Sequence, residues 1–269
     1  MPTYSRAQVA GHFDELGLGE WERLVKTPVD EVKLYVHAHY LRAHVPARGR
    51  VLEIGAGPGR FTQLLAEQGC RVVVGDISAV QLALNRQKAD ELGFAAAIEE
   101  WRLMDICDMS ALPDASFDAV VAYGGPLSYV FEQREAALDE CVRVTKRGGT
   151  ILLGVMSLWG SAHAFLPEIW GLPVELNRKI IETGDTVEGK HRCHMYRSGE
   201  FRSLLDRPEL MLLAMSASNC LSTRFEESLA TIRHDEAHWN DLLQMELDAC
   251  REFGCLDMGT HMIAVVRKR

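Results

Sequence analysis

Long basic runs are missing from this sequence. Its 269 residues carry 29 Lys and Arg against 38 Asp and Glu, a formal net charge of -9, and no basic run exceeds the terminal Arg267-Lys268-Arg269. That balance argues against a broad surface tracking a phosphate backbone, so nucleic acid is not an expected partner. No apolar segment is long enough to span a bilayer, and Met1-Pro-Thr-Tyr-Ser-Arg6 lacks the apolar core of a signal peptide. The seven cysteines (70, 107, 141, 193, 220, 250 and 255) are odd in number and include no C-x-x-C pair. Most lie in apolar runs, as small core residues in a reducing compartment do. Repeats and low-complexity segments are absent as well. The expectation is a cytoplasmic globular protein without a membrane partner, of one large or two small domains, its oligomeric state open.

What is present centres on Arg50-Val-Leu-Glu-Ile-Gly-Ala-Gly-Pro-Gly-Arg60. Val51 to Ile54 reads as a buried strand that breaks into a glycine loop, and the loop opens a helix from about Pro58. Gly55, Gly57 and Gly59 leave no Cβ where a ligand must lie against backbone. The amides at the new helix's N-terminus favour anionic ligand groups. Asp76 ends the next apolar run, Arg71 to Gly75, where a carboxylate can take two hydrogen bonds from a ribose diol. The pattern describes a pocket for an adenosine-bearing ligand. A dinucleotide fingerprint, G-x-G-x-x-G, needs glycine at position 60, which is Arg60. Glu53 adds negative charge beside the loop, which repels a pyrophosphate and suits a cation.

From residue 50 the chain alternates strand and helix, the signature of a parallel sheet covered on both faces. Strands are expected at 51–54, 72–74, 101–104, 117–123 and 150–156, with helices at 61–67, 80–92 and 132–144 between them. Gly148-Gly149 should turn the chain into the fifth strand. Residues 158–197 break the alternation as an insertion rich in aromatics and histidines. A helix at 198–205, a strand near 210–216, a long helix from about 234 to 253 stopped by Gly254, and a strand at 261–267 complete the chain. Residues 1–49 read as a helical cap. Thr27-Pro28 followed by Asp30 and Glu31 starts one helix, and Gly17 and Gly19 interrupt the segment before it. Val29, Val32, Val36, Tyr40 and Leu41 form that helix's inward stripe, and His37, His39 and His44 are assigned to its surface.

Glu53-Ile-Gly55-Ala-Gly57-Pro-Gly59, with Asp76 and this order of elements, resembles the class I S-adenosylmethionine (SAM)-dependent methyltransferases, well over residues 20–155 and loosely beyond. The resemblance implies an α/β, Rossmann-like seven-stranded sheet with helices on both faces, an N-terminal helical cap or lid over 1–49, and a SAM-binding domain over 50–269 with a lid insertion at 158–197. It implies that Gly55, Gly57 and Gly59 line the methionine and ribose side and that Asp76 takes the ribose hydroxyls. Ile77 and Ile106 would cover the two adenine faces, and Asp105 would accept from the adenine amino group. The Tyr123 carbonyl would meet the ammonium. The Asn/Asp-Pro-Pro-Tyr that marks nitrogen methylation of nucleic acid and protein amides is absent from Tyr123-Gly-Gly-Pro-Leu-Ser-Tyr129.

Methyl transfer is an in-line displacement that asks the protein for alignment, a dry site and sometimes a base. His163, His191 and His194, in the insertion expected to roof the site, and Tyr129 beside the sulfonium are the catalytic candidates. His191-Arg-Cys-His194 has ligand-like spacing, yet carboxylate partners are not evident nearby and histidines at i, i+3 are common on a polar face, so no metal is expected. The aromatic insertion and Glu20-Trp21-Glu-Arg23-Leu24 imply a roofed pocket for a small molecule, as in methyltransferases of bacterial secondary metabolism. Two alternatives stay open. One is an enzyme of the same scaffold that consumes SAM without methylating, as azetidine-2-carboxylate synthases do when they release methylthioadenosine. The other is a non-catalytic SAM-binding module.

Overall fold

The computed structural model describes residues 2–186 and 192–269. Three helices come first: α1 (Arg6–Leu16), α2 (Gly19–Glu22) and α3 (Pro28–His44). The Thr27 hydroxyl accepts the Asp30 N–H at 3.2 Å, Pro28 fills the first turn, and Asp30 and Glu31 face the positive end of the helix dipole. The α1–α2 joint falls on Gly17 and Leu18, with Gly17 at a φ of 51°.

The alternating part follows as β1 (Arg50–Ile54), α4 (Arg60–Glu67), β2 (Arg71–Asp76), α5 (Ala79–Glu91), β3 (Ile98–Leu103), β4 (Phe117–Ala122), α6 (Arg134–Val144) and β5 (Thr145–Met156). Next come α7 (Leu158–Ala164), α8 (Leu166–Trp170), α9 (Val174–Thr183), β6 (Asp185–Thr186) and β7 (Cys193–His194). The last elements are α10 (Ser198–Leu205), β8 (Leu210–Ala217), α11 (Glu226–Ile232), α12 (Glu236–Cys250) and β9 (His261–Lys268).

One seven-stranded sheet runs β3-β2-β1-β4-β5-β9-β8, parallel from β3 to β5. β9 is antiparallel to both of its neighbours. This is the α/β architecture implied by the alternation. The strand alternation sorts side chains into two cores. Leu52, Ile54, Val120 and Ala122 face α6 and α10. Val51, Val72, Val74 and Val121 face α3, α4 and α12. Burying each such branched side chain contributes roughly 1.5–3 kcal/mol. The strand order reverses between β1 and β4, so their carboxyl ends open a crevice where ligands of such sheets bind.

Several boundaries differ from expectation for reasons outside the local sequence. Residues 145–149 belong to β5: its register on β4 jumps from Phe117↔Thr145 to Ala119↔Thr150. Gly148-Gly149 therefore makes an excursion within the strand, and a Cβ at Gly149 would lie 2.8 Å from the Asp118 carbonyl. The last long helix starts at Glu236, capped by the Asp235 carboxylate on the Ala237 and His238 amides, and ends at Cys250, ahead of Gly254. A separate helix, α11, precedes it. The 158–197 insertion, described except at 187–191, holds three helices and the short antiparallel pair β6–β7. Its Leu158, Ile180, Ile181, Cys193 and Met195 pack with Val9 and Phe13 of α1 around Tyr129. Among the described residues, no helix is long and apolar enough to cross a membrane.

Candidate active site

The loop after β1 is shaped by what surrounds it. Gly55 stands at a φ of 70°, and a Cβ there would meet Pro126 Cγ at 2.5 Å. Gly57, at a φ of 54°, is less crowded: a Cβ there would be in ordinary van der Waals contact with Glu20 Cγ at 3.7 Å. Its N–H donates to Asp76 Oδ2 at 2.8 Å, and the Ser78 N–H donates to Oδ1 at 2.8 Å. Burial pushes the Asp76 carboxyl up to about 6, against the pull of those amides. Each oxygen keeps a lone pair for a further donor.

Around this loop lies a cavity of about 60 Å³ whose wall includes Ile54, Gly55, Gly57, Asp76, Ile77, Met104, Asp105, Ile106, Gly124, Pro126 and Tyr129. The N-terminal segment closes it with Tyr4, Val9, Phe13 and Glu20. Asp105 accepts the Cys107 N–H on Oδ1 at 2.9 Å and the Tyr4 hydroxyl on Oδ2 at 2.6 Å. The segment is fastened elsewhere too: Gln81 Nε2 donates to the carbonyls of Phe13 and Gly17, and the Arg60 guanidinium lies 3.7 Å over the Trp21 ring. Thus the structure brings Gly55, Gly57, Asp76, Ile77, Asp105, Ile106 and Tyr129 to one wall.

Three sequence-predicted residues lie off that wall. Gly59 faces Asn85, whose Nδ2 would be 2.9 Å from a Cβ. Tyr123 is buried beneath His37 and Phe61, its ring 4.9 and 5.0 Å from theirs. Glu53 sits under the loop and accepts the Thr62 hydroxyl at 2.6 Å. Burial pushes it up to about 8, with Asp76 adding to the effect. The shift runs against the negative charge expected beside the loop.

A larger cavity of about 510 Å³ shares Gly124 with the first. α3 and the turn before it supply Leu24, Lys26, Asp30, Lys33 and His37, α4 supplies Phe61, and the insertion supplies Leu158, Phe165, Ile169, Ile180, Ile181 and Met195. Arg23 stands at the shared end, 2.6 Å from Glu20, and Lys33 is 3.1 Å from Asp30. The wall is apolar with a few charged groups on the α3 side.

Of the roof histidines, His163 and His194 are not on that wall. His163 is exposed, while Ser161, Ala162 and Phe165 of the same segment line the cavity. His194 is buried between Asp185 (Nδ1, 2.7 Å) and Glu200 (Nε2, 2.8 Å), with Arg134 at 3.2 Å, so both ring nitrogens are engaged. His191 lies outside the described residues. The histidine that does reach the wall from α3 is His37, 4% exposed. Its assignment to the surface is corrected: it shares the inward face with Val36, Tyr40 and Leu41. The signal was the helical period, since 37 precedes Leu41 by one turn.

Residues 52–153 match the family model described as a methyltransferase domain. This stretch is a methyltransferase domain of the class I SAM-dependent kind. SAM is accordingly the ligand the family's nucleotide site takes, and the residues fit it: a carboxylate pair at Asp76 and Asp105, apolar faces at Ile77 and Ile106, and a loop bare of side chain at Gly57. A demethylmenaquinone methyltransferase of Paenarthrobacter aurescens (strain TC1) is 28% identical over 204 residues, 73% of this chain and 68% of that one. A demethylmenaquinone methyltransferase of Clavibacter sepedonicus is 37% identical over 152 residues, 54% of this chain and 57% of that one. With several other curated relatives the match likewise spans about half of their length. Among solved structures, the [4+2]-cyclase SpnF shares the fold at a TM-score of 0.65 and 19% identity, covering 100% of this chain and 98% of its own. A methyltransferase of Thermotoga maritima, possibly acting on histamine by its description, superposes at 0.59 with 16% identity over 96% and 99%.

Proposed function

We propose that this methyltransferase moves the methyl group of SAM onto a small, largely apolar molecule held in the larger cavity. The observation that carries the reading is the meeting of two cavities at Gly124, one bearing the nucleotide-type carboxylates and the other apolar. In this reading Asp76 holds the ribose hydroxyls, Ile77 and Ile106 the adenine faces, and Asp105 the adenine amino group. Bound SAM supplies an activated methyl on a sulfonium. The chain's part is to align the acceptor beyond Gly124 and to exclude water, and the apolar packing of Val9, Phe13, Tyr129, Leu158 and Met195 serves as the roof. The relatives named for demethylmenaquinone and ubiquinone biosynthesis favour a quinol-type ring as the acceptor class.

A separate 510 Å³ cavity beside the nucleotide wall weighs against turning SAM on itself, which needs no second site. Both readings are tested in one assay: methyl-labelled SAM is incubated with and without 1,4-naphthohydroquinone and related quinols, and products are identified by mass. Label on a quinol with S-adenosylhomocysteine (SAH) as co-product supports the proposal. Methylthioadenosine from SAM alone, with no labelled quinol, overturns it.

A further inference from the structure

His37 has a hydrogen-bonding capacity that the fold leaves open. Its Nδ1 is 2.7 Å from the Lys33 carbonyl oxygen. A carbonyl only accepts, so Nδ1 carries the proton and the neutral ring's lone pair is on Nε2. The ring is held edge-on to Tyr123 (4.9 Å, 83°) and tilted on Phe61 (5.4 Å, 36°), so it cannot turn freely. Among the described residues, Nε2 has no partner. Yet the side chain is 4% exposed and lines the larger cavity, against the residue that precedes Gly124. The lone pair is therefore one that a donor group on a molecule in that cavity can reach.

We propose that His37 Nε2 accepts the O–H or N–H of the methyl acceptor, aligns its lone pair with the methyl group, and takes its proton during transfer. This rests on the reading of the larger cavity as the acceptor site. For a hydroxyl acceptor the balance is simple. A carbon–oxygen bond forms, the carbon–sulfur bond breaks with its electron pair left on sulfur, and the hydroxyl proton passes to Nε2 and later to solvent. Burial keeps the imidazole neutral, pushed down to about 4, and the positive charges of Arg23 and Lys33 act in the same direction. Glu20 and Asp30, the acids on the same side, are engaged with those two cations. So weak a base leaves a neutral hydroxyl protonated. It does deprotonate the strongly acidic oxonium that the oxygen becomes on gaining a methyl, so proton transfer accompanies or follows methyl transfer. The arrangement also selects. An acceptor offering only a carbonyl sets lone pair against lone pair, so the cavity takes the reduced, hydroxyl-bearing ring in preference to the oxidised one.

The test uses the full-length protein, histidine-labelled with ¹⁵N and saturated with SAH. Two probes differ in one hydrogen-bond donor: 1-naphthol and its methyl ether, 1-methoxynaphthalene. The expected result is an Nδ1–H tautomer for His37 at neutral pH, an Nε2 resonance that shifts with 1-naphthol only, and about tenfold tighter binding of 1-naphthol than of the ether, a difference of about 1.4 kcal/mol. In His37→Phe, which keeps an aromatic ring against Tyr123 and Phe61, the preference should fall to within about twofold with SAH affinity unchanged. His37→Leu, which likewise lacks an acceptor, and the wild-type tautomer provide the same reading if the Phe variant does not fold. An Nε2–H tautomer, or a preference that survives in a folded variant, overturns the proposal. Failure of both probes to bind a protein that still binds SAH overturns the acceptor cavity itself, and the proposal with it.

Discussion

The nucleotide cavity draws its polar character from backbone and strand-end carboxylates: the Gly57 and Ser78 amides on Asp76, and the Cys107 amide on Asp105. The larger cavity is walled by side chains from the N-terminal helices, α4, the insertion and the start of β9. Backbone geometry at a strand end is fixed by the sheet, so the first half tolerates little change in sequence. The second can change its lining without disturbing the sheet, because most of its wall belongs to segments added outside the alternating core. One fold can therefore keep a cofactor and exchange acceptors. The titratable groups divide in the same way. Glu53 and Asp76 are pushed up by burial in the nucleotide half, whereas His37 is pushed down in the other.

The sharpest way to break this contrast is Asp76→Ala. If the ribose rests on that carboxylate, the variant loses hydrogen bonds to a charged group, each worth about 1.5–3 kcal/mol, and SAH affinity measured by calorimetry should fall by more than tenfold. Unchanged affinity in a folded variant would reduce Asp76 to a brace for the Gly57 and Ser78 amides. Next is Glu53→Gln. Between the ordinary value of 4.5 and the folded value of about 8, the native state holds a proton the unfolded chain has released. Stability of the ligand-free protein therefore falls as pH rises through that window. The glutamine variant should show a flatter profile of Tm against pH and, at pH 8, a gain of about 1–3 kcal/mol. A profile parallel to wild type would contradict the buried, protonated carboxyl. The smallest effect is expected from Tyr4→Phe, which removes the hydroxyl on Asp105. Amide exchange in residues 6–16 should quicken about fivefold, matching roughly 1 kcal/mol, and an unchanged rate would show that this bond does not fasten the N-terminal segment.

Legibility followed the same division. Gly55, Gly57 and Asp76 stood out because a strand, a glycine loop and a strand-end acid lie close in sequence, and Thr27-Pro28 announced a helix with purely local chemistry. The Gly148-Gly149 excursion depends on the Asp118 carbonyl of the neighbouring strand, which no local pattern shows. His194 was drawn into the roof because the Arg134 that helps fix it is 60 residues away, and its acids Asp185 and Glu200 looked like ordinary surface charge. His37 was set on the outside although its helical position beside Val36 and Leu41 pointed inward. A polar residue on an inward face reads as surface until the cavity it serves is visible.

The central claim is that nucleotide and acceptor occupy neighbouring cavities joined at Gly124, and a crystal structure with SAH and 1-naphthol tests it most directly. The account predicts ribose on Asp76, adenine between Ile77 and Ile106, the sulfur at Gly124, and the naphthol ring in the larger cavity with its hydroxyl toward His37. SAH lying in the larger cavity, or naphthol bound only outside it, would contradict the account.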